Sequence, residues 1–149
     1  VVIGKIVKAE KHPNADKLYV IKVDIGEEER TIVSGLRDHY KLKELEGRSI
    51  AFLKNIEPAK FRGVESNGML LAACSDDDAH VILLKPEGWV GEKIFNNKQQ
   101  RDAAKLISYS EFQKVKMVIS NRHIIVDGKS LQTKKGEIEI GAEDGFKVS

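Results

Sequence analysis

The chain has 149 residues, enough for one domain or for one domain with a small appendage. Apolar residues make up 41% and charged residues 32%, with a formal net charge of +2, so a polybasic tail is excluded and any nucleic-acid contact requires a local patch. The apolar runs are too short to span a bilayer and the start lacks a signal-peptide layout, so we expect no membrane partner. The chain starts in a predicted strand and without Met, and we therefore interpret it as a piece of a longer protein.

Cysteine usage points to a reducing compartment. Cys74 is the only cysteine, so neither a disulfide within the chain nor a cysteine-based zinc site can form. It follows an apolar run and is expected to sit in the core as a small apolar residue. We therefore predict a cytoplasmic protein.

The first half of the chain is predicted to be rich in β-structure, because apolar and polar residues alternate along it. Tyr19, Ile21, Val23 and Ile25 share one face of a strand. The predicted elements, in chain order, are strands at residues 1–8, 18–25 and 31–33, a helix at 41–46 with Asp38 as its cap and Gly47 at its end, and strands at 49–54, 69–73 and 80–84. This order predicts an all-β fold, an OB-fold with a five-stranded Greek-key barrel and a short helix; a small sandwich is the alternative.

The second half begins where the sequence turns polar, near residues 96–100. We assign residues 1–96 to the barrel and 97–149 to a C-terminal extension. The predicted elements of the extension are a helix at 101–107, strands at 115–119, 124–126 and 138–140, and hairpin turns at 127–128 and 135–136. Because about fifty residues make a small unit, we expect the extension to pack against the barrel.

Residues 54–71 form the most informative segment. A predicted strand ends there, a loop carries cations near its tip, and a small-polar turn leads into the next strand, a pattern that suits a phosphate backbone. Gly68 is expected to permit a turn that brings amide groups to a phosphate. The candidate RNA-binding residues are Ser34, Lys54, Asn55, Lys60, Arg62, Ser66, Asn67, Gly68 and Met69. The alternative is an ordinary solvated loop in which residues 66–68 only shape the start of the strand.

Further cations lie in the first two strands. They are Lys5, Lys8, Lys11, Lys17 and Lys22. OB-folds bind oligonucleotides across the face of their second and third strands and through the loops at the rim. Aromatic residues make up only 6% of the chain, and Phe61 alone lies beside the loop cations, so backbone contacts to a folded RNA are favoured over base stacking.

Catalysis finds little support in the sequence. The four histidines are scattered, and none pairs with a Ser or Cys in a recognisable arrangement. Residues 76–78 lack the spacing of a calcium loop, and there is no phosphate loop or dinucleotide fingerprint. We predict that this chain has no catalytic residue, no metal site and no cofactor.

Four ordered motifs resemble the tRNA-binding domain of the endothelial monocyte-activating polypeptide II type. They are residues 2–6 (VIGKI), 12–19 (HPNADKLY), 31–36 (TIVSGL) and 54–69, from KNIEP to RGVESNGM, and the resemblance covers residues 1 to about 95. It implies an OB-fold that binds tRNA by shape and backbone with little sequence preference, appended to a methionyl-, lysyl- or tyrosyl-tRNA synthetase, a ligase.

The resemblance has two further implications. Longer members of the family carry an extension that imitates the second subunit of the short, dimeric members, and residues 97–149 match it in length and position, which implies a monomer. Some members act as cytokines through a heptapeptide in the first strand, but here Val2 replaces its Arg and Lys8 its Thr. The alternative function is therefore a protein-interaction module that docks synthetases together, or a cytokine-like one.

Overall fold

The computed structural model describes residues 1–37, 39–75, 81–84, 86, 88–94, 117–120, 122–126, 129–133, 136–138, 140 and 146–148. Antiparallel strands provide most of the regular structure within these ranges. The strands of the barrel half are β1 (Val2–Lys11), β2 (Tyr19–Asp24), β3 (Glu29–Ser34), β4 (Ser49–Leu53), β5 (Ala59–Phe61), β6 (Val64–Ser66), β7 (Met69–Leu70), β8 (Ala72–Cys74) and β9 (Val81–Leu83), with the helix α1 (Leu42–Leu45) between β3 and β4. Those of the extension are β10 (Met117–Ser120), β11 (His123–Val126), β12 (Lys129–Ser130), β13 (Gln132–Thr133), β14 (Gly136–Glu137) and β15 (Lys147–Val148).

A curled five-stranded antiparallel sheet forms the barrel. Its strand order is β3-β2-β1-β4-β7. The alternation in the sequence explains the curl, because Ile21 and Val23 of β2 are fully buried on the inner face while Lys22 between them is exposed. The register of β1 against β2 shifts between Ile6 and Lys8, a bulge that leaves Val7 half exposed. This architecture is an OB-fold-like β-barrel, as the order of the predicted elements indicated.

The free edge of β3 is closed by the segment that follows β6. The Asn67 amide donates to the Thr31 carbonyl at 2.9 Å, and the Val33 amide donates to Ser66 Oγ at 3.0 Å. The enclosed core cluster contains Ile6, Ile21, Ile32, Leu45, Ile50 and Phe52 among its fully buried side chains. Burial of such side chains, at about 1.5–3 kcal/mol each, drives the closure.

A second sheet joins the barrel to the extension. Its strand order is β12-β11-β10-β15-β8-β9. The strand β15 lies between β10 of the extension and β8 of the barrel, since Lys147 pairs with Val118 and Val148 pairs with Ala73. A second core cluster spans both parts. From the barrel it takes Ile3, Ala51, Leu53, Ile56, Leu71, Ala73, Leu84 and Ile94, and from the extension Met117, Ile119, Ile124, Leu131, Ile138, Ile140 and Val148. The extension strands therefore cover an apolar face of the barrel.

The barrel departs from the predicted elements at several places. The strand β1 continues to Lys11, because Glu10 and Lys11 still pair with β2. The helix is a single turn, and its N-cap is Lys41, whose amide donates to Glu44 Oε1 at 2.9 Å. The prediction that Asp38 caps this helix is therefore wrong. Asp38 itself lies outside the described residues. The predicted strand at 69–73 divides at Leu71 into β7 and β8, which join different sheets. The predicted loop at 55–66 contains the β5–β6 hairpin.

The extension confirms some of its predicted elements. The strands β10 and β11 match the predicted strands at 115–119 and 124–126 where these are described. Val126 of β11 pairs with Lys129 of β12, while the predicted turn at 127–128 between them lies outside the described residues. The predicted strand at 138–140 is wrong, because Ile138 and Ile140 are buried outside the regular strands while β13 and β14 pair just before them. The predicted helix at 101–107 and the acidic turn at 76–78 lie outside the described residues.

No helix in the described ranges is long and apolar enough to cross a membrane. Within the same ranges, no group of three or more His, Cys, Asp and Glu side chains lies close enough together to hold a metal ion.

Candidate nucleic-acid interface

A short hairpin at the rim of the barrel carries two of the candidate cations. Its strands β5 and β6 pair from Ala59↔Ser66 to Phe61↔Val64, which leaves a two-residue turn. Arg62 and Gly63 in that turn both have positive φ, at 52° and 89°, as a type I′ turn requires. Lys60 and Arg62 are exposed, and no described residue forms an ion pair with either. The hairpin therefore presents two exposed cations on ordered backbone, with Glu65 opposite Lys60 in the ladder.

A buried histidine fixes this hairpin to the turn after β1. His12 is 4% exposed; its Nδ1 accepts a hydrogen bond from the Asn14 amide at 2.9 Å, and its Nε2 lies 2.8 Å from the Phe61 carbonyl. An acceptor at Nδ1 requires the proton on Nε2, so the ring is in the neutral Nε2–H tautomer and donates to Phe61. His12 therefore has a structural position, because it holds the backbone one residue before Arg62.

The turn after β6 contains three more candidates. Ser66 is 5% exposed, and its hydroxyl accepts from the Val33 amide and donates to the Gly68 carbonyl at 3.3 Å. The hydroxyl of this candidate is therefore buried and makes its hydrogen bonds within the fold. The Asn67 amide is likewise bonded to Thr31, which leaves the Asn67 side chain as its polar group for a ligand.

Gly68 is required by its surroundings. Its φ is +140°, and a methyl group there would overlap the ring of the fully buried Phe52. Both the positive φ and the packing against Phe52 favour glycine at this position, while the expected approach of its amide groups to a phosphate stays a prediction. The alternative, in which residues 66–68 shape the start of the next strand, describes this geometry well.

A cleft of about 450 Å³ lies between the hairpin β2–β3 and the start of the 54–68 segment. Its lining residues are Glu28, Glu29, Arg30, Thr31, Lys54, Ile56, Pro58 and Asn67. Arg30 was not among the candidates. Its Nη1 donates to the Lys54 carbonyl and its Nε to Glu28 Oε1, both at 2.6 Å, so it fixes the backbone of a candidate cation.

Lys54 itself is ion-paired. Its Nζ lies 3.3 Å from Glu27 Oε1, and both side chains are more than 40% exposed. Exposed pairs contribute at most about 1 kcal/mol, so a phosphate group can displace Glu27 at little cost. The acidic residues around the cleft nevertheless make it less cationic than the hairpin tip.

The remaining candidates are spread around this region. Ser34 is half-buried at the end of the β2–β3 ladder opposite Tyr19, and Asn55 is half-buried beside Lys54. Met69 pairs with Leu53 and packs against the core cluster shared with the extension, which gives it a packing role. The structure therefore brings Lys54 and Asn67 together in the cleft, places Lys60 and Arg62 on the hairpin, and takes Ser66 and Gly68 into the interior.

A curled β-barrel of this kind belongs to the OB-fold-like class, whose members bind oligonucleotides or oligosaccharides through the sheet face and the rim loops. Residues 1–93 match the family described as "Putative tRNA binding domain". The chain belongs to that family.

Similar proteins agree with this membership. The methionine–tRNA ligase of Pyrococcus furiosus is 59% identical over 85 residues, a match that covers 57% of this chain and 12% of the ligase. The chain thus spans a small part of the length of that curated relative.

Two solved structures show how far the likeness reaches. The C-terminal domain of Plasmodium vivax p43 superposes with a TM-score of 0.89 at 27% identity and covers 99% of this chain and 94% of that domain. A MetRS-related protein from Pyrococcus horikoshii superposes with a TM-score of 0.56 at 44% identity, covering 60% of this chain and 84% of that protein. The first likeness includes the extension, whereas the second covers a portion close in size to the barrel.

Proposed function

We propose that this domain binds tRNA through its sugar–phosphate backbone, with little preference among tRNAs, and serves an aminoacyl-tRNA synthetase as an appended module. Family membership supports tRNA as the ligand. The observation that carries the mode of binding is the ordered hairpin, on which Lys60 and Arg62 stand exposed without a described ion pair. Lysine and arginine contacts to phosphates position a nucleic acid without reading its sequence.

In this proposal the module acts by tethering. A second, weak grip on tRNA raises the effective concentration of tRNA near a catalytic body to which the module is linked. The module takes no part in the ligase chemistry. We place it in the cytoplasm, which suits a chain that has a single cysteine.

We also propose that residues 97–149 keep the domain monomeric. The family match ends at residue 93, and the apolar barrel face beside it is covered by extension strands. Covering a face in this way removes the surface on which a second copy would pack.

The proposal predicts similar affinities for unrelated tRNAs. Titration of the domain with several purified tRNAs at a series of salt concentrations should give dissociation constants within tenfold of each other, and each should rise steeply with salt because counterions are released from the RNA. A preference above tenfold, about 1.4 kcal/mol, would show base reading and contradict the backbone mode. Absence of tRNA binding would favour the protein-interaction alternative.

Arg62→Ala should weaken all tRNAs alike. The loss of one phosphate contact should reduce the slope of log affinity against log salt by about one unit and the affinity by about fivefold at 0.1 M salt. Filter binding or fluorescence anisotropy at four salt concentrations measures both quantities.

Arg122→Ala is the matched control. Arg122 is also an exposed arginine with positive φ, 66°, at the β10–β11 hairpin, so the change removes the same charge from the same backbone conformation. Affinity should change less than twofold. If both variants weaken tRNA equally, the effect comes from net charge and Arg62 makes no phosphate contact.

A further inference from the structure

The turn after β6 contains the single Asn-Gly pair of the chain, Asn67-Gly68. An asparagine carboxamide that precedes a glycine is open to attack by the amide nitrogen of that glycine, because glycine has no Cβ to obstruct the five-membered ring that forms. The two reacting groups are adjacent in the chain, so the reaction is intramolecular. In a folded protein its rate depends on whether hydrogen bonds hold the carboxamide and the attacking amide.

No described residue holds either reacting group by a hydrogen bond. The hydrogen bonds of this turn use the Asn67 amide, which donates to Thr31, and the Gly68 carbonyl, which accepts from Ser66 Oγ. Within the described part of the chain, no group bonds to the Asn67 carboxamide and none accepts from the Gly68 amide. Asn67 is half-buried and lines the cleft, so water reaches its side chain. The turn therefore fixes the main chain on both sides of the pair but leaves the reacting groups free.

We propose that Asn67 is a site of spontaneous deamidation. The Gly68 nitrogen loses its proton to solvent base and forms a bond to the carbonyl carbon of the Asn67 side chain. The bond from that carbon to the amide nitrogen breaks, and the nitrogen takes up a proton and leaves as ammonia. Water then opens the resulting succinimide: opening at the side-chain carbonyl gives aspartate, and opening at the main-chain carbonyl gives isoaspartate. No oxidant, reductant or cofactor is consumed.

Both products place a new carboxylate in the cleft beside the hairpin. Glu28 and Glu29 already line this cleft, together with the cations Arg30 and Lys54. A carboxylate at position 67 attracts the Lys54 ammonium and competes with a phosphate group for it. Deamidation should therefore weaken the binding of RNA. This consequence rests on the proposed function, whereas the reaction itself does not.

Isoaspartate has a second consequence, because it inserts one methylene group into the main chain. The turn closes the edge of β3 through the bonds from Asn67 to Thr31 and from Val33 to Ser66. Gly68 packs so closely against Phe52 that a methyl group there would overlap the ring. A longer main chain shifts these contacts relative to one another, so the isoaspartate form should lose stability. The aspartate form keeps the original main chain and should not.

The first test follows the chemistry alone. The whole domain is incubated at physiological temperature, at neutral and at mildly alkaline pH, and its peptides are analysed by mass spectrometry. Asn14 and Asn55 are internal controls, because residues with side chains, Ala15 and Ile56, follow them. Asn67 should deamidate at least about tenfold faster than either control, a difference of about 1.4 kcal/mol in barrier height. The rate should rise with pH, since the attacking nitrogen has to lose its proton. Equal rates at Asn67 and the controls would show that the fold protects the pair, and the proposal would be abandoned.

The second test measures what the reaction does to the domain. Asn67→Asp reproduces one product and should bind tRNA about fivefold more weakly than the wild type at 0.1 M salt. The affinity of the wild type should fall during incubation as the deamidated fraction grows. Asn67→Gln is the matched control: its side chain closes a six-membered ring far more slowly, so its affinity should stay at its own starting value. Incubated wild type should also contain a fraction with a lower denaturant midpoint, the isoaspartate form, which Asn67→Asp should lack.

The two tests separate this inference from the proposed function. If Asn67→Asp binds tRNA as tightly as the wild type, the inference that the reaction weakens binding is overturned, and the result for Arg62→Ala still decides the role of the hairpin. If the domain binds no tRNA, the proposed function falls, while the mass spectra still establish or refute the reaction at Asn67.

Discussion

Gly68→Ala should lower the free energy of unfolding by about 3 kcal/mol, without touching any residue that faces solvent. Two costs combine at this position. The added methyl group would overlap the ring of the fully buried Phe52, and overpacking costs about 1–3 kcal/mol. A φ of +140° adds backbone strain of about 1–3 kcal/mol for any residue with a side chain. Urea unfolding followed by tryptophan fluorescence or circular dichroism measures the change.

Gly35→Ala is the control for that measurement. Apart from its two chain neighbours, no described residue has a heavy atom within 4 Å of a methyl group built on Gly35, so the stability of this variant should stay within about 0.5 kcal/mol of the wild type. Gly68→Ala combined with Phe52→Leu should recover part of the loss attributed to the methyl group and the ring, a coupling that a double-mutant cycle quantifies. A loss below about 1 kcal/mol in Gly68→Ala would show that the ring moves aside.

Removal of the extension should turn a monomer into a dimer or an aggregate. A chain that ends at Asn97 would expose large side chains of the shared core, among them Ile3, Leu53 and Leu71, each worth about 1.5–3 kcal/mol when fully buried. It would also leave the edge of β8 without β15, and a bare edge strand pairs readily with another chain. The likeness to the MetRS-related protein, which covers 60% of this chain, supports folding of the shorter chain.

Sedimentation velocity of the full and the shortened chain at micromolar concentrations decides this prediction. The full chain should sediment as a monomer at every concentration. A shortened chain that is also monomeric, soluble and equally active in tRNA binding would show that the extension is an independent appendage, and the proposal that it prevents dimerisation would be abandoned.

Alternation was a reliable guide wherever one face of a strand is buried. The strand β2 was predicted from Tyr19, Ile21 and Val23, and these residues do lie inside the barrel. The apolar run at 69–73 has no such contrast, so nothing in it indicated that the Leu71 amide bonds to the Ala51 carbonyl and ends one strand before the next begins.

The candidate site was only partly predictable, for a different physical reason. The turn of the β5–β6 hairpin is formed by Arg62 and Gly63, which both have positive φ. Because arginine rarely adopts positive φ, the sequence Arg62-Gly63 did not predict a type I′ turn. The roles of His12 and Arg30 depend on carbonyl groups 49 and 24 residues away along the chain. The sequence shows which side chains carry hydrogen-bond donors, but the tertiary fold determines which carbonyl groups accept from them.

The position of β15 has a consequence for synthesis on the ribosome. This strand is the one that connects β8 with β10, and about 60 residues separate it from β9. At roughly 5–20 residues per second, the barrel strands emerge several seconds before β15 does. During that interval the edge of β8 and the apolar face around Leu71 have no covering strand, so a pause in translation between β9 and β15 would prolong the period in which the nascent barrel is open to misassembly with a neighbouring chain.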